Sequence, residues 1–135
     1  MPKDKTVMQE RRNERATMDS FRVKRDGSGQ IVPQQEETEF GTVLVIPMTY
    51  GDAEAMAEQS KQEDGLNAAT VAKHIREHIT EPDMSGLNAT MIREEFKAPA
   101  VKELLDAINR ASGLGDQMEV EVGEDGRTKV TEKNP

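Results

Sequence analysis

The sequence predicts one small, mainly helical domain of the α+β type, with about four helices, a short N-terminal β element and disordered termini. At 135 residues the chain is long enough for one domain and short for two. Of its 25 Leu, Ile, Val and Phe residues, 17 lie between Phe40 and Leu114, which confines the predicted core to that stretch. We therefore divide the chain into a basic disordered arm at 1–20, a single domain at 21–114 and a flexible acidic tail at 115–135.

The first predicted elements are β-strands. In "FRVKRDGSGQIVPQ", Phe21 and Val23 alternate with charged residues, "DGSG" supplies a turn, and Ile31 begins a returning strand. The strongest strand signal is "TVLVIPMTY" at 42–50, because an unbroken β-branched run is typical of a strand buried on both faces. Pro47 ends this strand, since it has no amide proton to donate to a ladder.

Four helical segments follow. Asp52 is predicted to cap the first, "AEAMAEQSK", and Asn67 the second, "AATVAKHIREHI". Asn88 is predicted to cap the third, "ATMIREEF", while Pro99 suits the first turn of the fourth and Gly113 its left-handed stop. Apolar spacings of three and four predict buried stripes at Ala68, Val71, Ala72, Ile75 and Ile79, at Met91, Ile92 and Phe96, and at Val101, Leu104, Leu105, Ile108 and Ala111.

The last segment, "MEVEVGEDGRTKVTEKNP", is predicted to be flexible. It could form a hairpin around "EDGR", but two strands by themselves are marginal in water. Its few valines bury too little apolar area to offset the entropy cost of ordering the chain.

Composition excludes several classes of protein. The chain has no cysteine, and therefore no disulfide framework and no Cys-based metal site or nucleophile. No apolar run approaches the roughly 18 residues of a membrane span, and the N-terminus lacks the apolar core of a signal peptide. We therefore expect a cytoplasmic protein with no membrane partner.

The charge is unevenly distributed along the chain. The formal net charge is −8, yet residues 1–25 carry eight Lys and Arg against four Asp and Glu. Such an arm could contact nucleic acid or an acidic partner. Because no aromatic residue lies among the charges before Phe21, we favour a solvated tail over nucleic-acid binding.

The string "KHIREHI" contains H-x-x-E-H, the inverted zinc-protease pattern, in which two imidazoles bind Zn²⁺ and a glutamate activates water. On a helical wheel the apolar stripe centres near Ile75, with His78 at its edge, His74 further out and Glu77 pointing away. A protease also needs a third ligand and an enclosed cleft. We therefore interpret the histidines as two half-exposed residues on a charged helix face, and expect their removal to leave folding nearly unchanged.

Other catalytic and cofactor motifs are absent from the sequence. It contains no phosphate-binding loop, no G-x-S-x-G and no Ca²⁺ loop. The paired glutamates at 36–37 and 94–95 are interpreted as solvated surface. We therefore predict no catalytic, cofactor-binding or metal-binding residues and no enzyme activity. The sequence predicts neither the partner-binding residues nor the oligomeric state.

Three motifs occur in order along the chain: "IPMTYGDAE", "ITEPD" and "LLDAINRASGL". In that order they resemble the tail assembly chaperones of long-tailed phages and related archaeal viruses and proviruses, over about residues 20–114. The residues that carry the resemblance are Ile46, Pro47, Thr49, Tyr50, Gly51, Ala53 and Glu54, then Ile79, Glu81, Pro82 and Asp83, then Leu104, Leu105, Ala107, Ile108, Ala111, Ser112, Gly113 and Leu114.

The resemblance implies a non-enzymatic role in the host cytoplasm. Proteins of this family bind the long tape-measure protein during tail building, keep it soluble and help recruit tail-tube subunits. A small helical domain with acidic flanks suits that role, since it can cover apolar client segments while its charge keeps the complex soluble. Two alternatives stay open: a virion structural or head–tail connector protein, and a nucleic-acid-binding regulator that uses the basic N-terminal arm.

Overall fold

A computed structural model of the chain describes residues 15–133. Within them lie four α-helices and five β-strands, and the strands form two antiparallel sheets. A 3₁₀ turn, Met18–Phe21, comes first. The other elements are β1 (Gln34–Thr38), β2 (Gly41–Val45), α1 (Tyr50–Gln62), α2 (Ala68–His78), β3 (Ile79–Glu81), α3 (Ala89–Glu95), α4 (Ala100–Ala111), β4 (Met118–Val122) and β5 (Thr128–Glu132).

The first sheet has the order β1-β2-β3. β1 and β2 form a hairpin that pairs Thr38 with Gly41 and leaves Glu39 and Phe40 at its tip. The short strand β3 follows α2 directly and pairs antiparallel with the other side of β2. Helix α4 packs against β1 and β2, which places its first turn beside the hairpin tip.

Strand β2 is fully covered on one face only. Val43 and Val45 are buried, whereas Leu44 between them is half-buried. The prediction of a strand buried on both faces is therefore wrong. Successive side chains of a strand point to opposite faces, and only the face of the two valines belongs to the central core.

The helix boundaries follow their capping residues. Thr49, rather than the predicted Asp52, caps α1: its Oγ1 accepts from Asp52 N at 3.2 Å, while Asp52 Oδ2 accepts from Thr49 N at 3.1 Å. The predicted caps Asn67 and Asn88 are confirmed, since each side chain accepts a backbone N–H three residues on at 2.9 Å. Gly113, with φ of 77°, follows the end of α4 as predicted.

Helix α4 is the centre of the core. It contacts the first sheet on one side and β4 on the other, and therefore buries more than a single stripe. Its buried residues are Val101, Leu104, Leu105, Ala107, Ile108, Asn109 and Ala111. The predicted stripe of α2 is confirmed, whereas that of α3 is only half-buried.

The prediction of a mainly helical fold, with a short N-terminal β element and a flexible C-terminal tail, is wrong. Two separate antiparallel sheets make the domain α+β. The expected N-terminal hairpin forms only one bridge, between Arg25 and Ile31, and residues 1–14 of the basic arm lie outside the described part of the chain. The expected flexible tail forms the β4–β5 hairpin and places Val120 and Val130, 2% and 3% exposed, in the core.

The β4–β5 hairpin is attached by bonds to residues far away in the sequence. Leu66 N donates to Thr128 O at 2.6 Å, and Thr128 N donates back to Leu66 O at 2.9 Å. Val130 N donates to Ser60 Oγ at 3.1 Å. Arg127 Nη1 donates to two carbonyls just past α1, each at 3.0 Å. Some backbone groups at the outer edge of the hairpin are therefore hydrogen-bonded to the body of the domain.

Candidate partner-binding groove

The two histidines of the zinc-protease pattern are buried. His78, 6% exposed, joins the end of α2 to the end of β2. Its backbone carbonyl accepts from Ile46 N at 2.7 Å, and its ring Nδ1 lies 2.8 Å from Ile46 O. Because a carbonyl oxygen can only accept, Nδ1 donates and carries the proton. His78 therefore holds two segments of the fold together.

His74 lies beside it, with 4.7 Å between the ring centroids and 9% of the residue exposed. Its Nε2 is buried without a hydrogen-bond partner in the described chain. Burial, followed by the charge of His78, lowers the pKa of His74 to about 4, while Asp52 acts in the opposite direction. The ring is therefore neutral at pH 7. The expectation of half-exposed histidines is wrong, because both rings are buried: the chain that follows β2 contacts His78, and His74 packs beside it.

The zinc-protease pattern does not assemble a metal centre. Glu77 is exposed, on the side that the helical wheel predicts. Across residues 15–133, no three His, Asp or Glu side chains are grouped so that they could hold a metal ion. The geometry therefore offers no place where this glutamate could activate a metal-bound water.

A groove of about 580 Å³ opens between the β1–β2 tip, the chain after β3 and the start of α4. Its apolar lining consists of Phe40, Val43, Pro82, Met84, Phe96, Ala100 and Leu104. Phe40 remains 47% exposed although it is a large aromatic side chain. An open concave surface with exposed apolar side chains is typical of a binding site.

The charged residues that line this groove are mainly acidic. Glu81, Glu95 and Glu103 line it together with one basic residue, Lys97. The Lys97 ammonium is turned to the Phe40 ring, with Nζ 5.0 Å from the ring centroid. Glu103 Oε1 accepts a hydrogen bond of 2.6 Å from the backbone N–H of Glu39, and this bond fixes the hairpin tip to α4. The groove therefore combines an apolar floor with a net negative rim.

The first and third sequence motifs meet at Ser112. Its Oγ accepts from Met48 N at 2.8 Å and donates to Ile108 O at 2.7 Å. Pro47 is buried at the same junction, and Thr49 caps α1. Packing and capping therefore account for most residues of these motifs, whereas Tyr50, which is 84% exposed, Gly51 and Glu54 lie at the surface.

The second motif lies at the groove. Glu81 and Pro82 line it. Asp83 Oδ1 accepts from Ser85 N at 2.9 Å, and the bonds from Ser85 lower the pKa of Asp83. This turn directs the chain from β3 along the wall of the groove towards Met84.

The amino-acid sequence does not predict this groove. Its apolar spacing assigns Phe96 to a buried stripe, yet this residue is half-buried at the groove wall. The available signal is Phe40, an isolated aromatic residue in the polar string "QQEETEFG". Its neighbours in the groove come from three distant segments, and only the tertiary fold brings them together.

Comparison of the chain with protein-family models, with curated proteins and with solved structures found no match. Among residues 15–133, no helix has the length and apolarity needed to cross a membrane.

Proposed function

We propose that this protein is a viral tail assembly chaperone that binds a helical segment of the tape-measure protein in the groove beside Phe40. The open apolar groove with its acidic rim carries this proposal, because it offers a partner both apolar area and charge selectivity. The three ordered motifs support the class of protein. In this role the protein acts by binding in the host cytoplasm and catalyses no reaction.

The chemistry of the groove defines the client segment. An amphipathic helix places apolar side chains at positions i, i+3 and i+4 on one face, and that face would cover the apolar lining that includes Phe40 and Phe96. Lys or Arg side chains of the client would reach Glu81 and Glu95 at the rim. The protein's net charge of −8 then keeps the complex soluble after the apolar face of the client is covered.

Co-expression tests the assignment. The protein is produced with the tape-measure reading frame expected beside its gene, and then purified by affinity. We expect the client to stay soluble and to co-purify, and the protein to be absent from finished particles by mass spectrometry. An insoluble client with the protein eluting alone contradicts the assignment, and abundant protein in particles favours a virion component instead.

Paired variants test the groove separately. Phe40→Ser with Glu95→Lys alters its floor and rim, whereas Val122→Ser with Glu121→Lys makes similar changes at two exposed positions of β4. We expect the groove pair to lower client recovery at least about tenfold and the control pair to leave it unchanged. If the groove pair retains its client and its melting temperature, the client binds elsewhere and the site assignment is wrong.

A further inference from the structure

We infer that a second surface, the basic aromatic patch formed by Phe21, Arg22, Lys24, Arg25 and Tyr50, is a docking site for an acidic amphipathic segment of a partner protein. These residues line a cleft of about 620 Å³ between the N-terminal segment and the start of α1. The patch shares no residue with the acidic groove. The inference therefore does not depend on the proposed client or on the groove.

Two aromatic side chains are left open to solvent at this patch. Phe21 is 79% exposed, and Tyr50 is as open. Single exposed apolar residues are ordinary, but two aromatic rings that line one cleft are not. Tyrosine, phenylalanine and arginine are the residues enriched at protein interfaces, where buried aromatic anchors carry much of the binding energy.

The patch is positive on a protein that is otherwise strongly negative. Residues 15–33 contain four Lys and Arg against two Asp and Glu, whereas residues 34–133 contain ten against 21. Lys24 takes part in no ion pair among residues 15–133, and Arg22 pairs only with the exposed Asp19, at 3.0 Å. An exposed pair of this kind contributes little, so both cations are available to a partner.

The part of the patch at Lys24 and Arg25 is ordered by local hydrogen bonds without burial in the core. Asp26 Oδ1 accepts from Ser28 N at 2.9 Å and from Gln30 N at 3.1 Å, and Val32 N donates to Lys24 O at 2.8 Å. These bonds order the turn that directly follows Lys24 and Arg25, and they also engage the carboxylate of Asp26. A partner that binds here therefore meets a surface that is already partly ordered, which lowers the entropy cost of docking.

The positive charge and the exposed aromatic rings of the patch indicate which kind of partner binds there. A partner helix with apolar side chains one turn apart would cover Phe21 and Tyr50, while its Asp or Glu residues would reach Arg22 and Lys24. Nucleic acid fits less well, because the cations are few and clustered and the acidic body would repel a continuous phosphate chain. The observations therefore favour an acidic protein segment.

Fluorescence anisotropy with the full chain tests the inference. The probes are a labelled amphipathic peptide with Leu on one face and Glu on the other, the same peptide with Lys in place of Glu, and an oligothymidylate. We expect the Glu peptide to bind most tightly, and its binding to weaken as salt rises.

Substitutions identify the surface that the Glu peptide uses. Phe21→Ser with Tyr50→Ser, and separately Lys24→Glu, should each weaken its binding about tenfold, whereas Phe40→Ser in the groove should not. Phe21 and Tyr50 are exposed, so unchanged melting of the variants is the check on folding. Absence of binding, a preference for the Lys peptide or the oligonucleotide, or equal binding by the double variant would each overturn the inference. Self-association that the double variant abolishes would overturn it too, in favour of a second copy of the chain.

Discussion

The N-terminal and C-terminal segments of the described chain have similar sequence patterns but different structures. "FRVKRDGSGQIV" and "MEVEVGEDGRTKV" each place an Asp-Gly turn between short runs in which apolar and polar residues alternate. The first segment forms one bridge and leaves its apolar side chains exposed or half-buried. The second forms a ladder from Met118–Glu132 to Val122–Thr128 and buries Val120 and Val130.

The difference shows that docking, rather than turn chemistry, decides which segment becomes a hairpin. Hydrogen bonds of the first segment stay local, such as Asp26 N to Gln30 O at 2.8 Å. Hydrogen bonds of the second segment reach Ser60 and Leu66, which lie far away in the sequence. An isolated two-stranded hairpin is marginal in water. The second segment is stable because its valines are buried in the core and its strands form hydrogen bonds with the body of the domain.

Removing the buried valines should have the largest effect on this contrast. Val120→Ala with Val130→Ala deletes four methyl groups from the core and should lower the free energy of unfolding by about 4 kcal/mol. The matched change, Val23→Ala with Val32→Ala, should stay within about 0.5 kcal/mol. Urea unfolding of both variants measures this, and equal losses would show that the two segments do not differ as described.

Acid should destabilise the body, including the C-terminal hairpin, before it affects the N-terminal segment. The pKa of His74 is about 4 in the folded protein, against about 6.5 unfolded. Between those values only the unfolded chain binds the proton, so stability is complete above pH 6.5 and falls as the pH drops to 4. The loss is about 3 kcal/mol in total.

His74→Leu should remove most of this pH dependence. Urea unfolding between pH 4 and pH 7 gives the slope of the free energy of unfolding against pH for the native protein and for the variant. Amide exchange at pH 5 compares the amides of β4 and β5 with those of residues 21–32. Because both rings are buried, we now expect removal of the histidines to change the stability of the fold. A native slope no steeper than that of the variant would refute the prediction.

Loss of the Arg127 side chain should loosen the hairpin to a smaller extent. Its Nη1 donates to the carbonyls of Glu63 and Gly65, and charge-assisted bonds of this kind give about 2 kcal/mol when partly buried. Arg127→Ala should therefore speed amide exchange at Leu66 and Thr128. The control is Arg25→Ala, which removes one exposed bond to Gly29 O and should change stability little. Unchanged exchange in Arg127→Ala would mean that the hairpin is held by its valines alone.

The smallest effect is expected at Ser60. Its buried hydroxyl accepts from Val130 N, and Ser60→Ala leaves that N–H without a partner at a cost of about 1 kcal/mol. Ser28→Ala is the counterpart in the N-terminal turn, where the hydroxyl donates to Asp26 in full solvent exposure. Thermal melts should separate the two variants by several degrees. Coincident melts would remove Ser60 from the set of residues that anchor the hairpin.

Local signals in the sequence predict the helices well. Asn67, Asn88 and Gly113 act where capping rules place them, because a cap depends on residues only three or four positions away. The shift of the first cap from Asp52 to Thr49 has the same local origin, since the two residues cap each other. Spacing also identifies the buried stripe of α2.

The binding surfaces could not be predicted in the same way. The groove brings Phe40 from a hairpin tip, Pro82 from the chain after β3 and Phe96 from the end of α3 to one place. The basic aromatic patch similarly combines Phe21 with Tyr50 from the start of α1. No periodicity links such residues, because their proximity is a property of the packed chain and not of any one element.

The sequence by itself determined the caps at Asn67 and Asn88, the stop at Gly113, the buried stripes of α2 and α4, the acidic charge and the three motifs. The tertiary structure decided which of two similar segments forms a hairpin, the burial of His74 and His78, and the place of the groove. The physical reason is the range of the interactions. Capping and helical spacing act within one or two turns, whereas burial and strand pairing depend on residues such as Leu66 and Thr128, which meet only after the chain has folded.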